Sequence, residues 1–266
     1  MIAVALRLLA VYLLLVVFLY FAQRFLQYHP DTHFPGSPAA NGVPKMHEVI
    51  ARTEDGLDLL AWFAPPREKG GKIVVFFHGN AGHIGHRAVK ARYFLDKGYG
   101  VYMCEYRGYG GNKGSISEEG LYRDGRGALM WLREQGYKPA QFVLYGESIG
   151  AAVAIEMATQ ARPSALILES PFNSAVAMGE KRYFYVPVSL LLKDRFDNLS
   201  KIGRVHAPLL VVHGDEDATT PIAFARELFN AANHPKEFID INGGGHSDLY
   251  EHHAGHLILE WLGKQP

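Results

Sequence analysis

Gln141-Phe142-Val143-Leu144-Tyr145, then Gly146-Glu147-Ser148-Ile149-Gly150, then Ala151-Ala152-Val153-Ala154-Ile155-Glu156-Met157-Ala158 follow one another without a break. The first segment is apolar and β-prone, and the last reads as a tightly packed helix. Strand, sharp turn and helix form the context in which G-x-S-x-G is a nucleophile elbow rather than a chance pentapeptide. The turn is tight enough that a side chain at 146 or 150 would strike the neighbouring strand or helix. The serine itself takes a strained backbone conformation there. Ser148 Oγ is thereby held over the sheet, with the N-terminus of the following helix aimed at the reacting centre.

A serine needs a base to take its proton and a third group to orient that base. In a strand–elbow–helix fold the partners follow in the order serine, acid, histidine, each after a later strand. Pro208-Leu209-Leu210-Val211-Val212 is a buried-strand pattern leading into His213-Gly214-Asp215-Glu216-Asp217. Glu237-Phe238-Ile239-Asp240-Ile241 is another, followed by Gly243-Gly244-Gly245-His246. The expected triad is Ser148, Asp217 and His246. Asp215 and Glu216 compete for the acid role, but a turn at 214–216 carries Asp217 over the sheet edge where His246 arrives. Asp215 then bonds backbone amides of the turn. Of the 13 histidines, His246 alone follows a strand through a glycine run. His252 and His256 are one helical turn apart and, with His253, have metal-ligand spacing, yet they fall in an apolar-periodic helix, Leu249 to Leu262. Solvated or packed rings are the expected reading, and neither a metal nor a cofactor is expected.

The buried strand Ile73-Val74-Val75-Phe76-Phe77 runs into His78-Gly79-Asn80-Ala81-Gly82. Small residues let this backbone approach a developing oxyanion, with the N–H groups of Asn80 and Ile149 as the expected donors. His78 is expected to hold the loop through side-chain hydrogen bonds.

These segments, together with Tyr106-Arg107-Gly108-Tyr109-Gly110, resemble the α/β-hydrolase superfamily over roughly residues 45 to 262. More narrowly they look like the membrane-anchored serine hydrolases that include lysophospholipases, monoacylglycerol lipases and protein depalmitoylases. The resemblance implies a mostly parallel sheet with helices on both faces and a small cap. Ala151 departs from the pattern, since many relatives carry a second glycine there. The rest of the chain agrees with an α/β reading. Met46–Arg52 and Leu57–Ala64 form an opening antiparallel hairpin. Strands at 73–77, 100–105, 142–145 and 165–169 alternate with helices near 86–97, 118–134 and 151–158, and helices near 221–232 and 248–262 close the domain. About 220 residues suffice for one core. Lys plus Arg and Asp plus Glu balance at 27 each, so nothing favours nucleic acid. The lone Cys104 falls in a strand and is expected to be buried and inert.

Ile2 to Ala22 is apolar except for Arg7, and Gln23-Arg24 closes it. Twenty-one helical residues span about 31 Å, close to a bilayer's hydrocarbon core. Bulky Leu19, Tyr20 and Phe21 stand where a signal peptidase would need small residues, which favours a retained anchor over a cleaved signal. The expected division is an anchor at 1–24, a linker at 25–44 and a catalytic domain at 45–266. A short tail ahead of a long domain places that domain on the exported side, the charges flanking the span being nearly tied. The span could pair with its copy in a homodimer, although it lacks Gly-x-x-x-Gly.

The cap is expected at about 172–205, between strands separated by fewer than 40 residues. Its run Tyr183-Phe184-Tyr185-Val186-Pro187-Val188-Ser189-Leu190-Leu191-Leu192 either packs on the core or forms an acyl-chain slot or membrane-dipping surface. Tyr183, Phe184 and Leu190 are the candidate substrate contacts. The expected activity is hydrolysis of acyl-lipid esters, of lysophospholipid or monoacylglycerol type, with an acyl-thioesterase as alternative. A non-catalytic membrane-tethered interaction protein is disfavoured by the complete triad.

Overall fold

The computed structural model describes residues 1–265. The chain opens with α1, Ile2–Gln27, on which no residue is buried. It is long and apolar enough to cross a membrane, and it runs three residues past the expected end at Arg24. The segment expected as a linker lies against the domain. Tyr28 and Val43 are buried, and His29–Pro30 pairs in parallel with Ala81–Gly82.

Eight strands form one sheet: β1 (His47–Arg52), β2 (Asp58–Ala64), β3 (Ile73–Phe77), β4 (Gly100–Cys104), β5 (Phe142–Glu147), β6 (Ala165–Glu169), β7 (Leu209–Gly214) and β8 (Lys236–Ile241). Their order across the sheet is β8-β7-β6-β5-β3-β4-β2-β1. Strand β2 runs antiparallel to β1 and β4, and every other pairing is parallel. The central strands are apolar throughout because both faces are covered. Alternate residues serve opposite cores. Ile73, Val75, Phe77, Leu144, Leu166 and Val211 face one, and Val74, Phe76, Val143, Tyr145, Ile167 and Leu210 the other.

The first core is roofed by α3 (Glu118–Glu134) and α4 (Ile149–Gln160), the second by α2 (Ala88–Asp96) and α9 (Ala254–Gly263). Ala151 is fully buried, so the departure from a second glycine is accommodated. Ser117 caps α3 by accepting from the Gly120 N–H, and Glu118 and Glu119 in its first turn suit the positive end of the helix dipole.

Helix α9 starts later than the expected 248. Residue His253 sits in a left-handed conformation, φ 67°, which no helix can propagate through, and turns occupy 249–253. His252 and His256 therefore do not share a helical turn, and the ligand spacing read in the sequence does not exist. His256 packs edge-on to Tyr93 instead. Between β6 and β7 lie three short helices, α5 (Ala175–Arg182), α6 (Val188–Leu191) and α7 (Leu199–Ile202), in the region expected as the cap. Helix α8 (Ile222–Ala231) follows β7.

Candidate active site

Four connections at the carboxyl ends of the parallel strands β3, β5, β7 and β8 build the site, the place where open α/β sheets gather their functional loops. The β5–α4 turn is forced by contact. A Cβ on Gly146 would stand 2.4 Å from the Gly150 carbonyl oxygen, and one on Gly150 would stand 2.1 Å from that of Phe77. Ser148 consequently adopts φ 53°, ψ −114°, a conformation non-glycine residues rarely hold unless the surroundings over-determine it. Its N–H donates to the Glu169 carbonyl at 2.8 Å.

Its hydroxyl lies 3.0 Å from His246 Nε2, and His246 Nδ1 lies 2.7 Å from Asp217 Oδ2. An ionised carboxylate selects the Nδ1–H tautomer, which leaves Nε2 free to accept from the serine. The glycine run that delivers His246 is needed. Gly243 has φ +70°, and a Cβ on Gly214 would strike the Gly244 carbonyl oxygen at 2.1 Å.

The Asp217 side chain is fully buried. Its Oδ1 accepts from the N–H groups of Thr219 and Thr220, both at 2.8 Å. Burial pushes this carboxyl up, but the hydrogen bonds from His213 and His246 and from the Thr220 amide outweigh burial. The group is held well below the usual carboxylate range. Asp215 is exposed and accepts from the Gly243 N–H at 2.7 Å, so it ties the two loops together rather than meeting His246. That amide belongs to the neighbouring loop, not to the 214–216 turn as the sequence suggested.

His78 is buried against Glu105, 2.9 Å from Nε2 to Oε1, and its Nδ1 donates to the Gly79 carbonyl at 2.7 Å. Glu105 also accepts from the Ile84 N–H. The Asn80 side chain is occupied in a way the sequence did not signal. Its Nδ2 donates to the Gln27 carbonyl at 2.7 Å, and its Oδ1 accepts from the Tyr109 hydroxyl at 3.0 Å. Asn80 thus joins the end of α1 to the loop beside the elbow. Ile149 opens α4, where the first N–H groups have no intrahelical partner.

Two supports were not singled out in the sequence. Fully buried His213 places Nε2 3.3 Å from Asp217 Oδ2 and 2.9 Å from the Thr220 carbonyl, so it steadies the acid from behind; the signal was its i, i+4 spacing to Asp217. Beneath the elbow, buried Lys90 donates to Glu147 and Glu169, both at 2.7 Å, and Arg87 donates to Glu147 at 2.9 Å. Burial opposes ionisation of Glu147, but Lys90 and Arg87 prevail and hold its carboxyl below the usual range. Its Oε1 would lie only 2.7 Å from a Cβ on Gly79, so the network props up the β3 loop as well.

The candidate substrate contacts lie in the α5–α6 region of the cap. Tyr183 is half-buried at the end of α5, while Phe184 and Leu190 are 85% and 82% exposed. At that exposure no other part of the protein encloses the Phe184 and Leu190 side chains. Among the described residues one trio, Asp31, His83 and His86, brings metal-ligating atoms within 4.8 Å of one another. His83 Nδ1 accepts from the Gly85 N–H, which leaves the ring proton on Nε2, the atom facing Asp31. A metal would have to displace that proton.

A sheet of this order with serine, acid and histidine at the ends of β5, β7 and β8 defines the α/β-hydrolase class. The family described as Serine aminopeptidase, S33 matches residues 68–191. Uncharacterized protein Rv2307c of Mycobacterium tuberculosis is 39% identical over 235 residues, covering 88% of this chain and 83% of its own. Human alpha/beta hydrolase domain-containing protein 17B is 28% identical over 209 residues, covering 75% and 69%. A solved esterase of Pyrococcus furiosus superposes with a TM-score of 0.72 at 19% identity, covering 90% of this chain and 99% of that one. The chain belongs to the α/β-hydrolase superfamily, and it is a hydrolase.

Proposed function

We propose that this protein is a membrane-anchored serine hydrolase that cleaves carboxylic esters of acyl lipids, of lysophospholipid or monoacylglycerol type. The observation that carries the reading is the continuous relay Ser148 Oγ, His246, Asp217 at 3.0 and 2.7 Å. His246 Nε2 takes the Ser148 proton as Oγ attacks the ester carbonyl, and Asp217 stabilises the imidazolium that forms. The N–H groups of Ile149 and Asn80 receive the oxyanion, each such donor contributing about 3–4 kcal/mol to the transition state. Collapse expels the alcohol with the proton from His246. Water, activated by the same histidine, then releases the acid from the acyl-serine.

The acyl-lipid assignment is supported by the apolar α1 and by the apolar cap beside it, which favour a substrate arriving laterally from a bilayer. The test is fluorophosphonate labelling of the detergent-solubilised full chain. It is followed by a panel of p-nitrophenyl esters, lysophospholipids, monoacylglycerols, acyl thioesters and an aminoacyl amide. Labelling at Ser148 with preference for lipid esters is the expected outcome. Faster turnover of thioesters assigns the thioesterase alternative, and absence of labelling in folded protein overturns the serine mechanism.

A further inference from the structure

Helix α1 is not a loose tether. Val16, Leu19, Gln23 and Gln27 are half-covered, and their spacing puts them on one face of the helix. That face leans on the cap. Arg24 grips Asp194 through two hydrogen bonds, at 2.8 and 3.1 Å, and Gln27 Nε2 donates to the Asp194 carbonyl at 3.1 Å. The Asp194 side chain is nearly buried and also accepts from the Glu118 N–H, so the grip reaches the start of α3. With Asn80 holding the Gln27 carbonyl, α1 is fixed both to the cap and to the loop beside Ser148.

Higher on the helix the pattern changes. The Tyr12 hydroxyl donates to the Tyr185 carbonyl at 3.0 Å, Gln23 Nε2 donates to the Leu191 carbonyl at 3.3 Å, and Gln23 Oε1 accepts from the Lys193 N–H at 2.7 Å. These polar groups of α1 satisfy backbone groups of the cap. In water such donors would be superfluous, but in hydrocarbon every backbone N–H and C=O must find a protein partner. The fifteen residue steps from Tyr12 to Gln27 correspond to about 22 Å along the axis. That is more than a leaflet's share of a hydrocarbon core of about 30 Å. The cap tip therefore stands level with the middle of α1. At that tip Phe184, Tyr185 and Leu190 face outward. The Lys193 ammonium lies 4.2 Å from the Tyr20 ring centre, a cation over the face of an α1 aromatic.

We propose that residues 183–192 are a membrane wedge. With α1 across the bilayer, Phe184, Tyr185 and Leu190 are held in the acyl-chain layer of the leaflet nearest the catalytic domain. The occupant of this surface is lipid, and the Arg24–Asp194 grip fixes the angle at which Ser148 meets it. The inference rests on the membrane-anchored reading of α1, and its test separates the two.

Full-length protein carrying Phe184→Cys, Leu190→Cys, Leu9→Cys or Lys69→Cys is labelled with an environment-sensitive fluorophore, native Cys104 being buried. Each is reconstituted into phosphatidylcholine vesicles with or without bromine on the acyl chains, and folding is checked by circular dichroism. Bromine is expected to at least halve the emission at 184 and 190, as at 9 within the span, and to leave 69 unchanged. Quenching at 9 with 184 and 190 behaving like 69 overturns the wedge and leaves the anchor standing. Absence of quenching at 9 overturns both. Fluorophosphonate labelling of the same vesicles reports the serine mechanism independently of either.

Discussion

The elbow and the cap tip are written in equally apolar sequence and end in opposite environments. Phe142, Val143, Leu144 and Tyr145 have no solvent exposure, whereas Phe184 and Leu190 are almost wholly uncovered. The strand leading to the elbow is enclosed by elements of the same chain, with β3 and β6 at its edges and a core on each face. The cap run has protein on one side only, where α5 and α1 touch it. Apolar sequence thus fixes that a surface is to be kept from water. Whether protein or lipid covers it depends on what the neighbouring elements leave open.

The largest effects are expected at the elbow. His246→Ala and Ser148→Ala should each lower ester turnover about ten-thousand-fold or more, and the double variant should be no worse, because nucleophile and base act as one unit. Steady-state kinetics at unchanged melting temperature checks this. Asp217→Asn should lower turnover by about ten-thousand-fold through the wrong histidine tautomer. Asp215→Asn should do much less, since Asp215 only ties Gly243. Asp217 also leaves a signature in pH. Its folded value is depressed below the ordinary 3.8. Its contribution to stability is therefore present above about pH 4 and lost as pH falls below that. Chemical denaturation across pH 2–5 should show a shallower acid limb for Asp217→Asn.

The difference between the two regions also explains how much could be read beforehand. The elbow, the hairpin β1–β2, the helix at 118–134 and the meeting of Ser148, His246 and Asp217 were legible because each depends on short-range constraints. Apolar β-prone runs and glycines at points of backbone contact are written locally. The start of α9 was not legible, because a left-handed His253 breaks a sequence that is apolar-periodic on both sides of it. Asn80 was legible as a member of a loop, but not as the residue that holds the end of α1. Lys90, Arg87 and Glu147 lie 57 or more positions apart across the network, a pairing that exists only once β5 stands beside β3.

That network supplies the next effect. Lys90→Met leaves the buried Glu147 and Glu169 carboxylates without their shared cation. Breaking a buried pair in this way destabilises by ~3–5 kcal/mol. Urea denaturation of the full chain in detergent should show it. Loss of turnover should follow the unfolded fraction rather than precede it, because Lys90 touches the carboxylates and not the relay.

The smallest effect is expected at the cap tip, and it separates the two regions most directly. Phe77 lies at the end of β3 with no exposure and packs within the core beneath the elbow. Phe77→Ala should therefore cost about 3–5 kcal/mol of stability through lost burial and the cavity left behind. Phe184 is 85% exposed and meets Tyr185 edge-on at 5.4 Å between ring centres. Replacing it by serine removes little packing, so the stability of the full chain in detergent should change by no more than about 0.5 kcal/mol. The same substitution should weaken the seating of the cap in lipid, because an aromatic ring anchors at a membrane and a hydroxymethyl does not. A loss approaching that of Phe77→Ala would mean that Phe184 is packed against protein in solution, and the cap would then resemble the elbow after all.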